Sequence, residues 1–198
     1  MEVAKSLRGM DDNMDEELVT VIPEILWIKD EKLRKAVTGA YADALTTGGW
    51  SVEDMEKIPF TLVIPNCSVS YLAHVRAVTR MCHFIWKEFG AIYHGQEVPV
   101  LEYDVLIAGA LLHDVGKLVE YSRATDGKYV KSAIGQDLRH PFSGTVIAMR
   151  NGIPSKIAHT IANHAREGDG TLRTPEAVII NKADILNFEV FKSHRGMI

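Results

Sequence analysis

The 198-residue chain reads as an all-α helical bundle with at most one short β-hairpin. Two observations predict this class. Apolar residues recur at three-and-four spacing along most of the length, and Ser, Thr, Pro and Gly punctuate those runs where helices should start and stop. A third observation places the hairpin: around Thr125-Asp126-Gly127 the helical period lapses and a turn signal takes over. A composition of 46% hydrophobic and 24% charged residues is globular, and the length suits one substantial core.

The elements follow in order. Residues 1–13 are polar and contain glycine, so a loose start is expected. From Asp15 the pattern turns helical, through Leu18, Val21, Ile22, Ile25 and Leu26, then Leu33, Val37, Tyr41 and Leu45, with Pro23 splitting or kinking it. Gly48-Gly49 should end that segment. Ser51 with Asp54 three residues on forms a cap for a short helix that must stop before Pro59. Phe60 to Ile64 is a brief apolar run closed by Pro65. A long helix then spans Val69 to about Phe89, with Leu72, Val75, Val78, Cys82 and Ile85 on its buried face and His74 in its second turn.

A loop is expected over Gly90 to Pro99. The run Val105 to Leu112 is apolar on every side, the mark of a central helix, and it ends at His113-Asp114 with Gly116 close behind. Tyr121 to Lys131 is the hairpin or an irregular loop. Three helices should close the chain: one with Pro141 in its first turn and Gly152 at its end, one opened by Pro154-Ser155, and one capped by Thr174-Pro175. No repeat or linker divides the sequence. Residues 1–62 are expected to be a helical extension packed on the core, and residues 63–198 the domain proper. Trp27, Ile28 and Trp50 would either cover the bundle or form a homo-oligomer contact.

With 22 basic and 26 acidic residues the net charge is −4, which advertises no nucleic-acid surface. A small anionic substrate would need local positive charge. Cys67 and Cys82 lack metal-knuckle spacing and are read as reduced, buried core thiols. No apolar run approaches the ~20 residues of a membrane span, and the acidic N-terminus does not resemble a signal peptide. The expectation is a cytoplasmic protein with no membrane partner.

Chemistry concentrates in His74, His113-Asp114, His140, His164 and Asp184. Gaps of 39, 26, 24 and 20 residues separate these positions, each about one helix plus a connection. Taken singly, His74 would be a core histidine, His140 a residue before proline, and His164 a cation at a helix C-terminus. Asp184 among Ala183, Ile185 and Leu186 is harder to dismiss, because a buried carboxylate is costly unless paired or metal-bound. Together, four imidazoles and two carboxylates make a mixed nitrogen and oxygen set suited to Fe, Mn, Zn, Ni or Co rather than Ca. Six ligands are too many for one open catalytic ion, but with Asp114 bridging they divide between two divalent transition metals.

The order H…HD…H…H…D resembles the HD-domain superfamily of metal-dependent phosphohydrolases, and His113 to Lys117 shows the HDxxK form that many members carry. The resemblance implies an HD-domain helical bundle with metals at its centre. It assigns His74, His113, Asp114 and Asp184 to one ion and Asp114, His140 and His164 to the second. It also implies a hydrolase acting on a small-molecule phosphomonoester or phosphodiester, nucleotide-like, through a hydroxide shared by the metals. Mixed-valent diiron oxygenases share the same ligand arrangement. A nucleotide-binding regulatory module is a third reading, but it predicts lost ligands, and all six are present.

Asp114 and Lys117 are the expected catalytic residues, Lys117 to steady a phosphate oxygen. Arg139 and Arg166 flank the expected mouth and suit a substrate phosphate or carboxylate. Tyr121 and the hairpin are candidates for a lid. His83, His94 and His194 are assigned to the surface. His159, five residues before His164, is the one remaining histidine considered for a supporting contact.

Overall fold

The computed structural model describes residues 13–97 and 99–198. The expected loose start, apart from Asn13, lies outside them. The chain forms helices α1 (13–21), α2 (Glu31–Gly48), α3 (Tyr71–Ile92), α4 (Tyr103–Leu112) and α5 (Lys117–Glu120). Strands β1 (Tyr121–Arg123) and β2 (Tyr129–Lys131) follow, then α6 (Ala133–Asp137), α7 (His140–Arg150), α8 (Ser155–Asn163) and α9 (Pro175–His194). The architecture is all-α, with one antiparallel hairpin that pairs Tyr121 with Lys131 and Arg123 with Tyr129.

Helix α4 is the axis of the bundle. Every residue from Val105 to Leu112 is buried, so no face is left for water, and α2, α3, α8 and α9 pack around it. Local chemistry sets the boundaries of its neighbours. Ser70, Thr174 and Asp30 accept the free amides that begin α3, α9 and α2. Ser51 and Asp54 form a reciprocal capping box on a 3-10 turn, Val52–Glu56. Gly49 ends α2 at φ 72, a conformation glycine adopts without steric cost. Pro23 divides the first segment: α1 ends before it, and a 3-10 turn, Pro23–Trp27, follows.

The segment that precedes α3 is stitched to the bundle by specific bonds as well as by apolar burial. Leu18, Ile22, Ile25 and Ile28 share one core cluster with Leu111, Leu112 and Val115. Asp104 at the start of α4 accepts the backbone amides of Lys29 and Asp30. Buried Glu24 pairs with Arg76 at 3.0 Å, and Trp50 Nε1 donates to Leu118 O at 2.7 Å. Tyr41 donates to the carbonyl of Leu111, directly beneath the His-Asp turn. Ile28 is buried and Trp27 and Trp50 pack against the cluster, so all three cover the bundle.

Four expectations need correction. Helix α3 runs on through Gly90 to Ile92, because one exposed glycine costs only about 1 kcal/mol in a helix that packing already holds. Helices α5 and α6 stand where no helix is expected, being too short to show a period. His83 is not a solvated surface residue: it is half-buried among Trp27, Trp86 and Tyr103 and hydrogen-bonds the Tyr103 hydroxyl at 2.9 Å. Cys82 is a buried free thiol as expected, but Cys67 is only partly buried, since it sits in the connection before α3 rather than on its apolar face.

Candidate metal centre

The chain leaves α4 with His113 still helical and then turns tightly, Val115 N bonding Leu112 O and Lys117 N bonding Asp114 O. Gly116 is required at this turn, since a Cβ there would stand 2.1 Å from His140 O and 2.6 Å from Gly144 N. The close approach seats the start of α7 against the His-Asp turn. It thereby brings His140 to Asp114.

Asp114 lies at the middle of the assembled site and is fully buried. Its Oδ2 is 3.2 Å from His74 Nε2 and 3.3 Å from His113 Nε2, and Asp184 Oδ1 stands 3.2 Å from the same His74 nitrogen. Its Oδ1 faces the other way, 3.3 Å from His140 Nε2 and 3.5 Å from His164 Nε2. Two groups result, His74, His113, Asp114 and Asp184 on one side and Asp114, His140 and His164 on the other, each compact enough to hold a metal ion.

All four imidazoles are oriented alike. The Nδ1 atoms face outward to acceptors: Asn187 Oδ1 for His74 at 3.1 Å, Ala110 O for His113 at 2.7 Å, Glu120 Oε2 for His140 at 2.7 Å, and Ile161 O for His164 at 2.7 Å. Each Nε2 is thereby left for the centre, as metal-binding histidines require. The donor set fits a metal on a second ground. Asp114 Oδ1 and His164 Nε2 are buried without a hydrogen-bond partner, and His113 Nε2 lies 3.3 Å from His74 Nε2. Unpaired buried polar atoms are costly, and a cation in each group would satisfy them.

The charges agree with this arrangement. Burial alone would raise the Asp114 carboxyl, but Lys117 and His113 hold it well below the usual carboxylate range. Burial would lower His74, yet its hydrogen bonds to Asp114 and Asp184 overcome that and raise it to about 9. His140 goes the other way: desolvation dominates and takes it down to about 4, so it is neutral near pH 7. Asp184 is open to the adjacent cavity, with 17% of its side chain exposed, rather than fully enclosed.

That cavity, of about 340 Å³, lies against His140, Asp184, Lys117 and Glu120. Phe60, Leu62, Ile185 and Phe188 form an apolar wall, and Lys131, Arg139 and Arg166 supply cations. Tyr121 lines it too, but as a buried residue. Lys117 is buried beside it and committed, with Nζ 2.6 Å from Asp114 Oδ2 and 2.7 Å from Phe60 O. Arg139 is partly committed, donating to Glu167 at 2.9 Å, whereas Arg166 is mostly exposed. His159 is away from the centre, where it meets Asn163 and accepts Thr174 N.

A family model described as HD domain matches residues 71–188, well over half the chain, with all six ligand positions inside the match. The chain belongs to the HD-domain family. Membership brings the metal-dependent phosphohydrolase type of superfamily, and the buried histidine and aspartate groups are consistent with metal dependence. No curated protein and no solved structure matches the chain. No helix among the described residues of this HD domain is long and apolar enough to cross a membrane.

Glu120, Asn181, Asn187, Lys131 and Phe60 join the site without being among the residues expected from sequence. Phe60 stacks on His74 with ring centroids 4.6 Å apart and gives its carbonyl to Lys117. Asn181 Nδ2 donates to His164 O at 2.6 Å. A signal for the asparagines existed: Asn181, Asp184 and Asn187 fall three residues apart, a polar stripe along one face of α9. For Glu120 the clue was a carboxylate following Leu118 and Val119 inside an otherwise buried turn.

Proposed function

We propose that this HD domain is a binuclear metal-dependent phosphohydrolase that cleaves a small phosphomonoester or phosphodiester with a nucleotide-like leaving group. One observation carries the reading. The two oxygens of the Asp114 carboxylate are directed at separate histidine sets, and Asp184 and His140, one from each ligand group, line a cavity combining cations with an apolar wall. His74, His113, Asp114 and Asp184 would hold one divalent ion, and Asp114, His140 and His164 a second. Bound ions of this kind supply an activated water and neutralise charge on a phosphoryl oxygen.

The chain's own residues do the rest. The Nδ1 contacts fix the ligating nitrogens before any ion arrives, so little reorganisation accompanies the chemistry. Arg166 and Lys131 offer exposed cations to the phosphate of an ester. Lys117, tied to Asp114 and Phe60, holds the Asp114 charge in place. Phe60, Leu62, Ile185 and Phe188 exclude water from one side and receive the organic portion of the substrate. A volume of about 340 Å³ falls at the lower end of the ~300–1,000 Å³ typical of small-molecule sites, which argues for a compact ester.

The test is turnover of a panel of phosphomonoesters and phosphodiesters by protein loaded with Mn, Ni, Co, Zn or Fe under nitrogen. Phosphate release with at least one metal, abolished by chelation, is the expected result. Absence of release across the panel, together with oxygen consumption by the iron-loaded protein, would replace the hydrolase with an oxygenase.

A further inference from the structure

Three of the four inward-facing histidines are held by neutral oxygens: the carbonyls of Ala110 and Ile161 and the amide of Asn187. His140 is held by a carboxylate. Glu120, at the end of α5, is 2% exposed. Its Oε2 accepts both the backbone amide of His140 at 2.8 Å and the ring Nδ1 at 2.7 Å. Neighbours fix its backbone as well. Ser132 N donates to Glu120 O at 2.9 Å, and Gly135 packs so closely that a Cβ there would stand 2.1 Å from the same oxygen.

The placement matters because the two ligand groups are unequal in charge. The first contains Asp184 in addition to Asp114, whereas the second has only its share of Asp114 and two imidazoles. A divalent cation bound there would be undercompensated by its direct ligands alone. We infer that Glu120 is the positioning residue of the second metal, acting through His140 by supplying the negative charge that this ligand group lacks. A carboxylate behind a ligating imidazole fixes its tautomer and makes the opposite nitrogen a stronger donor. Lys131 and Arg139 stand farther from Glu120, at 3.6 and 3.8 Å, with side chains 46% and 35% exposed, so water screens their opposing charge.

The inference rests on the two-metal reading above and is tested by metal binding alone. Mn²⁺ is titrated into chelator-treated wild-type, Glu120→Gln and Glu120→Asp proteins, followed by calorimetry and by the electron paramagnetic resonance of free Mn²⁺. The wild-type chain is expected to take up two ions. Glu120→Gln keeps an acceptor oxygen but loses the charge, and should weaken the second ion roughly 10–100-fold while leaving the first within about threefold. Glu120→Asp, which keeps the charge, should recover part of the loss and also decides the matter if the glutamine variant does not fold. In a His140→Ala background the glutamine substitution should change affinity by less than about threefold, since the route through the imidazole is gone.

Unchanged binding in Glu120→Gln, or equal weakening of both ions, would overturn the role of Glu120 and leave the two-metal reading standing. A wild-type chain that binds no Mn²⁺, Zn²⁺ or Fe²⁺ would instead refute the two-metal reading itself, and this inference with it.

Discussion

Replacing Lys117 with methionine removes a cation while keeping most of the buried stem. In the folded chain Lys117 Nζ is 2.6 Å from Asp114 Oδ2 and 2.7 Å from Phe60 O, and the residue is 8% exposed. Burial would lower its pKa, but Asp114 raises it above the ordinary lysine value, so it is a cation at all physiological pH. Loss of one partner leaves Asp114 as a buried charge and Phe60 O unsatisfied, a change worth about 3–5 kcal/mol. For a chain of this size each kcal/mol moves the melting temperature by about 2–4 °C, so metal-free Lys117→Met should melt roughly 6–20 °C below metal-free wild type. A bound metal compensates the same carboxylate. Saturating Mn²⁺ should therefore stabilise Lys117→Met more than wild type, closing much of the gap. Differential scanning calorimetry with and without chelator measures both quantities. A metal-free variant that melts within about 2 °C of wild type, or one that gains no more from metal than wild type does, would refute the view that Lys117 and metal share one buried charge.

His74 is raised to about 9 while His140 is lowered to about 4, so at pH 7 the first ion should displace a proton from His74 and the second none from His140. Calorimetry of Mn²⁺ binding in buffers of different ionisation enthalpy counts those protons, and affinity at the first position should rise with pH up to about 9. The same shift gives the metal-free fold a contribution that is fully present below about pH 6.5 and is lost as pH rises through about 9, which a pH series of melts would register. Gly116→Ala, whose Cβ would stand 2.1 Å from His140 O, should destabilise the protein by about 1–3 kcal/mol and lower occupancy at the second position before the first. Denaturant melts and elemental analysis would check it, with intact second-position occupancy counting against the close approach as the device that seats His140.

Much of this was legible in the sequence, for identifiable reasons. Helix α4 was visible because an apolar run with no polar face has nowhere to go but the centre. The caps at Ser51 and Thr174 lie where local hydrogen bonding dominates, and the hairpin followed its Asp126-Gly127 turn. The six candidate ligands were legible as an ordered set of donors, each near a helix end or on an apolar helix. What the sequence concealed depends on approach between distant segments. Phe60 over His74 is a contact between elements that no local pattern encodes, and the polar stripe on α9 marks Asn187 without showing which histidine it holds. Lys117 looked free because its partners, Asp114 one turn back and a carbonyl 57 residues away, are fixed only by packing. His83 looked solvated because its aromatic neighbours Trp27 and Tyr103 come from other parts of the chain.

If one carboxylate serves two metal positions, the metal content of purified variants must show it. Wild type, Asp114→Ala and His164→Ala would be loaded with the same divalent ion, desalted and measured by elemental analysis, with folding confirmed by circular dichroism. Two ions are expected per wild-type chain, one in His164→Ala and essentially none in Asp114→Ala, because both ligand groups lose Asp114. Full occupancy in folded Asp114→Ala would contradict it.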